Sequence, residues 1–91
     1  MKVAYLIVAK GRVQGVGFRY FVRQEAHHFG LCGYVKNLYN GDVEIFVEGE
    51  EEIINSFTEI LKQGPHYGEV CELILKKRTY EDRYNKFEVH F

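Results

Sequence analysis

Gly11, Gly15, Gly17 and Arg19 fall together in the stretch GRVQGVGFR, just before a run with helical spacing. A glycine-rich loop that leads into a helix offers unpaired N–H groups and the partial positive charge of the helix start, the makings of an anion site. Successive loop N–H groups can curl into a nest, and glycine permits the positive φ that the curl needs. Arg19 would add a planar fork suited to phosphate oxygens. The stretch matches neither standard phosphate motif. Five residues after Gly11 stands Val16, where the Walker loop needs glycine, and the last glycine of a dinucleotide fingerprint is replaced by Tyr20. A structural turn tightened by glycine accounts for the spacing equally well.

A second candidate is Asn37, three residues before Asn40-Gly41. That pair predicts a two-residue type I′ hairpin. Leu38 then faces Val43 and Asn37 faces Glu44, so that Leu38 and Val43 share one face and Asn37 points to the other. Asparagine is poor in strands, and by composition Asn37 reads as an ordinary, partly exposed strand residue.

Other reactive types form no constellation. Cys32 and Cys71 lie 39 residues apart, without metal or redox spacing; two free, partly buried thiols in a cytosolic protein are expected, with a single disulfide left open. His27 and His28 are adjacent on the expected helix and point about 100° apart. With His66 and His90 they make no ligand spacing, so no metal is expected. Glu50 to Glu52 read as a solvated helix start. Tyr34, Tyr39, Tyr67, Tyr80 and Tyr84 read as edges of the core.

The elements that must position these residues follow from periodicity. Residues 1–10 read as a central strand and 11–17 as a loop. Phe18, Phe21, Val22, Ala26 and Phe29 line one face of a helix that Gly30 ends. Residues 31–39 and 42–48 read as a hairpin, with Phe46 breaking the alternation on its polar side. Ile53, Ile54, Phe57, Ile60 and Leu61 form the stripe of a second helix, stopped at Gly64-Pro65. Residues 69–80 read as a fourth strand and 86–91 as a short last one. The order β-α-β-β-α-β plus a terminal strand predicts an α+β, ferredoxin-like split βαβ fold, with two helices on one face of an antiparallel sheet.

Composition sets bounds. With 91 residues the chain makes a single domain, and 46% hydrophobic residues with seven Phe and seven Tyr supply a core. The net charge of −1, from 12 basic and 13 acidic residues, argues against a dedicated nucleic-acid binder. No apolar run approaches the roughly 20 residues of a membrane span. The basic-then-apolar start, MKVAYLIVAKG, lacks a small-residue cleavage site and is read as a strand.

Taken together, GRVQGVGFR (residues 11–19) and GYVKNLYNGDVEIFVEG (residues 33–49) resemble the acylphosphatase family, over essentially the whole chain and in the right order. Ala9 is a mild departure, standing where relatives often have a larger aliphatic. The resemblance implies a small, free-standing enzyme that hydrolyses the carboxyl–phosphate bond of acylphosphates. It implies that Arg19 and the backbone N–H groups of Gln14, Gly15, Val16, Gly17, Phe18 and Arg19 hold the phosphate, and that Asn37 orients the attacking water. No cofactor is implied. The partner expected is a small acylphosphate, with inorganic phosphate as product, for a cytoplasmic monomer that engages neither nucleic acid nor membrane.

Such chemistry is spare. The leaving carboxylate has a pKa near 4 and departs unprotonated, so no general acid is required. Positioning and charge stabilisation carry the rest. Three other readings stand beside it. A non-catalytic anion sensor would use the same loop and Arg19 but has no need of Asn37. An RNA-recognition domain shares the topology, yet its aromatic signature belongs on the third strand, where DVEIFVE sets one outward aromatic between glutamates. A metallochaperone of similar topology would need CxxC in the first loop.

Overall fold

A computed structural model describes residues 1–65 and 68–91. Two residues singled out above, His66 and Tyr67, lie outside the described residues. Seven elements follow one another: β1 (Lys2–Arg12), α1 (Phe18–His28), β2 (Cys32–Asn37), β3 (Val43–Glu50), α2 (Glu51–Gln63), β4 (Glu69–Arg78) and β5 (Phe87–His90). The strands form one sheet in the order β4-β1-β3-β2-β5. Its first four strands pair antiparallel, as expected, and the extra strand β5 adds to the β2 edge in parallel, which makes the sheet mixed.

Alternation sends Val3, Ile7 and Ala9 of β1 and Val43, Ile45 and Val47 of β3 into one buried layer. Phe18, Val22 and Ala26 of α1 and Ile54, Phe57 and Leu61 of α2 close it from above. Gly30 ends α1 at φ 69°, and the Leu31 N–H donates to the Ala26 carbonyl at 2.9 Å, satisfying an otherwise orphaned acceptor. In α2 the periodic Ile53 is 38% exposed, while Thr58 is buried with its hydroxyl donating to the Asn55 carbonyl at 2.9 Å.

The opposite face of the sheet is not bare. The β4–β5 connection must pass from one edge of the sheet to the other, and it runs beneath Phe46. Tyr34 stacks on Phe46 with ring centroids 5.9 Å apart, and Tyr84 leans against both. The buried Glu48 carboxylate accepts the backbone N–H groups of Glu81, Arg83 and Tyr84 at 3.4, 2.9 and 3.1 Å. Phe46 therefore breaks the polar alternation because a segment of chain covers it. Tyr34 also donates to Glu44 at 2.7 Å; burial, then that bond, pushes its phenol well above the usual range.

Cys32 and Cys71 are free thiols. They sit on β2 and β4, three strand spacings apart or about 14 Å, beyond the reach of a disulfide. No helix among the described residues is long and apolar enough to cross a membrane.

Candidate active site

Strand β1 runs through Arg12, two residues further than expected, so the loop is Val13 to Gly17. Gly11 belongs to the strand, at a register shift against β4, where a Cβ would collide with the Glu69 carbonyl. Gly15 and Gly17 do the bending, with φ of 73° and 77°. A Cβ at either would meet nothing within 4 Å, so backbone conformation alone selects glycine there. Gly17 is the N-cap of α1, and its carbonyl accepts the Phe21 N–H at 3.0 Å. Among the described residues, no protein acceptor takes the backbone N–H groups of Gln14 to Arg19. These donors lie at the N-terminal, positive end of α1.

The hairpin that carries Asn37 departs from expectation. Asn37 pairs with Val43, not Glu44. The Leu38 N–H donates to the Asp42 carbonyl at 2.8 Å and the Gly41 N–H to the Leu38 carbonyl at 3.2 Å, with Gly41 at φ 96°. This is a three-residue loop with a left-handed glycine, not a two-residue type I′ turn. Asp42 favours it by bonding back to Asn40: its N–H donates to the Asn40 side-chain oxygen at 3.0 Å. The shift of one residue moves Asn37 to the other face of the sheet. It lies in the row of Val35 and Val43, on the helix side, where the loop is.

Arg19 and Asn37 consequently line one cavity of about 130 Å³, with Val13, Gly15, Gly17, Phe18 and Tyr20 as the other walls. At about 30 Å³ per water, that volume holds a small anion and a water or two. Phe18 is buried and anchors the helix start. Arg19 is half-buried and has no carboxylate partner among the described residues. Its guanidinium donates to the His90 carbonyl at 3.2 Å and lies 4.7 Å from the Phe91 ring centroid. The charge is held in place yet not neutralised.

Three positioning contacts escape sequence reasoning. The Gln14 side-chain amide donates to the carbonyls of Leu38 and Asp42 at 2.7 and 2.8 Å, tying the loop to the hairpin. Lys10 donates to Asp42 at 2.6 Å, and that bond raises its amine above the usual value. The chain end, through His90 and Phe91, holds Arg19. All three join residues far apart in the chain, and no local pattern marks them. Two histidines make structural contacts: His27 Nε2 lies 3.3 Å from the Phe87 carbonyl, and His90 stacks on Tyr34 at 4.8 Å.

Comparison with known proteins bears on the family and the fold. The acylphosphatase family model matches residues 5–89. The curated acylphosphatase of Archaeoglobus fulgidus is 44% identical over 89 residues, 98% of this chain and 99% of that one. The crystal structure of acylphosphatase from Bacillus subtilis superposes with a TM-score of 0.94 at 39% identity, covering 98% of this chain and 99% of that one. Full-length HypF, in a phosphate- and nucleotide-bound crystal structure, contains a similar segment: TM-score 0.87 and 31% identity, with 100% of this chain matched to 12% of that one.

Proposed function

The chain belongs to the acylphosphatase family and hydrolyses acylphosphates; from that premise we propose how its own residues do so. The phosphoryl group of the substrate rests in the loop, its oxygens accepting the backbone N–H groups of Gln14 to Arg19. The Arg19 guanidinium forks onto the same oxygens and offsets their charge. Asn37, through its side-chain oxygen, accepts a hydrogen bond from a water and aims it at phosphorus, in line with the leaving group. Water oxygen bonds to phosphorus, the bond from phosphorus to the acyl oxygen breaks, and the electron pair leaves on the carboxylate. The proton shed by the water goes to the phosphate product or to solvent. The carboxylate leaves unprotonated, so the reaction needs no proton donor beside the loop.

The observation that carries this reading is the shared cavity of Arg19 and Asn37. A sensor would need the arginine and the loop only. The same reading makes the protein a cytoplasmic monomer acting without a metal and apart from nucleic acid. Two free thiols, a site built from one chain and the near-neutral charge support those points.

The test is benzoyl phosphate hydrolysis, followed by ultraviolet absorbance with EDTA present. Wild-type turnover should survive chelation. Arg19→Ala should lose about a hundredfold or more in rate and bind inorganic phosphate weakly. Asn37→Ala should lose a similar factor in turnover and keep phosphate binding. Equal loss of phosphate binding in the two variants would refute separate roles, and a folded wild type that binds phosphate without turnover would favour the sensor.

A further inference from the structure

A groove of about 350 Å³ runs between α1 and the C-terminal strand, walled by Tyr20, Phe87, Val89 and Phe91, with Arg23 and the Lys86–Glu88 pair at its polar side. It adjoins the phosphate cavity. Tyr20 lines both, and Phe91, which carries the Arg19 guanidinium on its ring, walls the groove. We propose that this groove receives the acyl group of the substrate, and that Arg23 makes the enzyme favour acylphosphates with an apolar stem ending in a second carboxylate. The inference rests on the phosphate site assigned above and adds the substrate class.

Helix geometry makes the first argument. Arg19 and Arg23 are four residues apart on α1, so they share a face and lie about 6 Å apart along its axis. A ligand whose phosphoryl group meets Arg19 would bring a carboxylate to Arg23 across a few methylenes. Charge makes the second. Lys86 is 3.4 Å from Glu88, and Glu88 is also 3.7 Å from the His90 ring, so this acid has partners. Arg23 has no carboxylate within ion-pair distance among the described residues. It is the groove's unmatched charge. Exposed apolar surface makes the third. Tyr20 is 59% and Phe91 92% exposed, two large rings left in water at the mouth of the site. Apolar surface gathered beside a functional cavity marks a place where a ligand covers it. A lone surface arginine kept for solubility would explain Arg23 but not the two rings that flank it.

The experiment compares three substrates: acetyl phosphate, pentanoyl phosphate and glutaryl phosphate, which share the reacting bond and differ in stem and distal charge. Wild type should favour glutaryl over pentanoyl phosphate by about fivefold in kcat/KM, the scale of one partly solvated charge-assisted contact. The preference should shrink as salt is added. Arg23→Gln, on an exposed face, should bring the ratio close to one and leave acetyl phosphate turnover unchanged, while Arg23→Lys should keep part of the preference. Tyr20→Ala should raise KM for pentanoyl phosphate more than for acetyl phosphate. Turnover of acetyl phosphate with no glutaryl preference, or a preference that Arg23→Gln leaves intact, would overturn the subsite and leave the proposed hydrolysis standing. No turnover of any of the three by the folded wild type would overturn both.

Discussion

Gly17 and Arg19 show two ways in which a single residue is committed to the site. Gly17 is glycine for its backbone: its φ is 77° and the space around it is open. A Gly17→Ala variant should lose about 1 kcal/mol of stability from left-handed strain alone, read as a shift in the urea midpoint. It should also weaken phosphate binding, because relief of the strain would turn the cradle N–H groups away. Arg19 is committed by its surroundings, since the chain end fixes its guanidinium without neutralising it. A variant lacking Phe91 should keep its fold, as the ring is 92% exposed, and should raise KM more than it lowers stability. Steady-state kinetics beside a thermal melt would check this.

At the scale of elements, the site depends on the loop before α1 and the β2–β3 hairpin keeping their separation. Gln14 binds the carbonyls of Leu38 and Asp42, and Lys10 binds the Asp42 carboxylate, so both grip the base of the same turn. Gln14→Ala should leave α1 and the sheet intact and lower kcat about tenfold, in line with the cost of loosening a positioned group. The Lys10 contribution is pH-dependent, and its sign follows from the raised amine. A group whose folded pKa lies above its unfolded value stabilises fully below the unfolded value and loses that contribution as pH rises through the folded one. The stability difference between wild type and Lys10→Met should therefore be constant through neutral pH and fade in strong alkali, above the ordinary lysine value of 10.5. A difference that persisted unchanged through strong alkali would show that the lysine charge does not contribute. At the first residue of α2, Glu51 follows the opposite rule. Its hydrogen bonds from Lys77 and Tyr5 lower its pKa, so its contribution is lost as pH falls.

The whole molecule divides into a site end and a scaffold end. Loop, Asn37, Arg19 and the chain terminus gather at one end of the sheet, while the segment after β4 crosses at the other, held by Glu48. Replacing Glu48 with Ala would remove the buried acceptor of three N–H groups, those of the exposed Glu81 and Arg83 and of the half-buried Tyr84. The cost should be about 2–3 kcal/mol. Turnover per folded molecule should change little, because the lesion is at the far end. Denaturation and active-site-normalised kinetics on one preparation would separate the two effects, and a collapse of turnover in still-folded protein would refute the division.

Periodicity and turn residues are local properties, which is why the order of elements, the two helical stripes and the glycine loop opening on α1 can be read directly from the chain. Arg19 is legible for the same reason, lying within the motif that it serves. Asn37 is legible as a residue, through family resemblance, but its direction is not. The Asn40-Gly41 pair suits a two-residue turn, and that register would have turned Asn37 away from the loop. The Asp42–Asn40 bonds and the pairing of the whole hairpin select the three-residue loop instead, and one residue of register exchanges the faces of a strand. The parallel seat of β5, the strap under Phe46 and the grip of the chain end on Arg19 likewise belong to tertiary structure. Each joins groups that are distant in sequence, and such a contact leaves no periodic trace in the residues that make it.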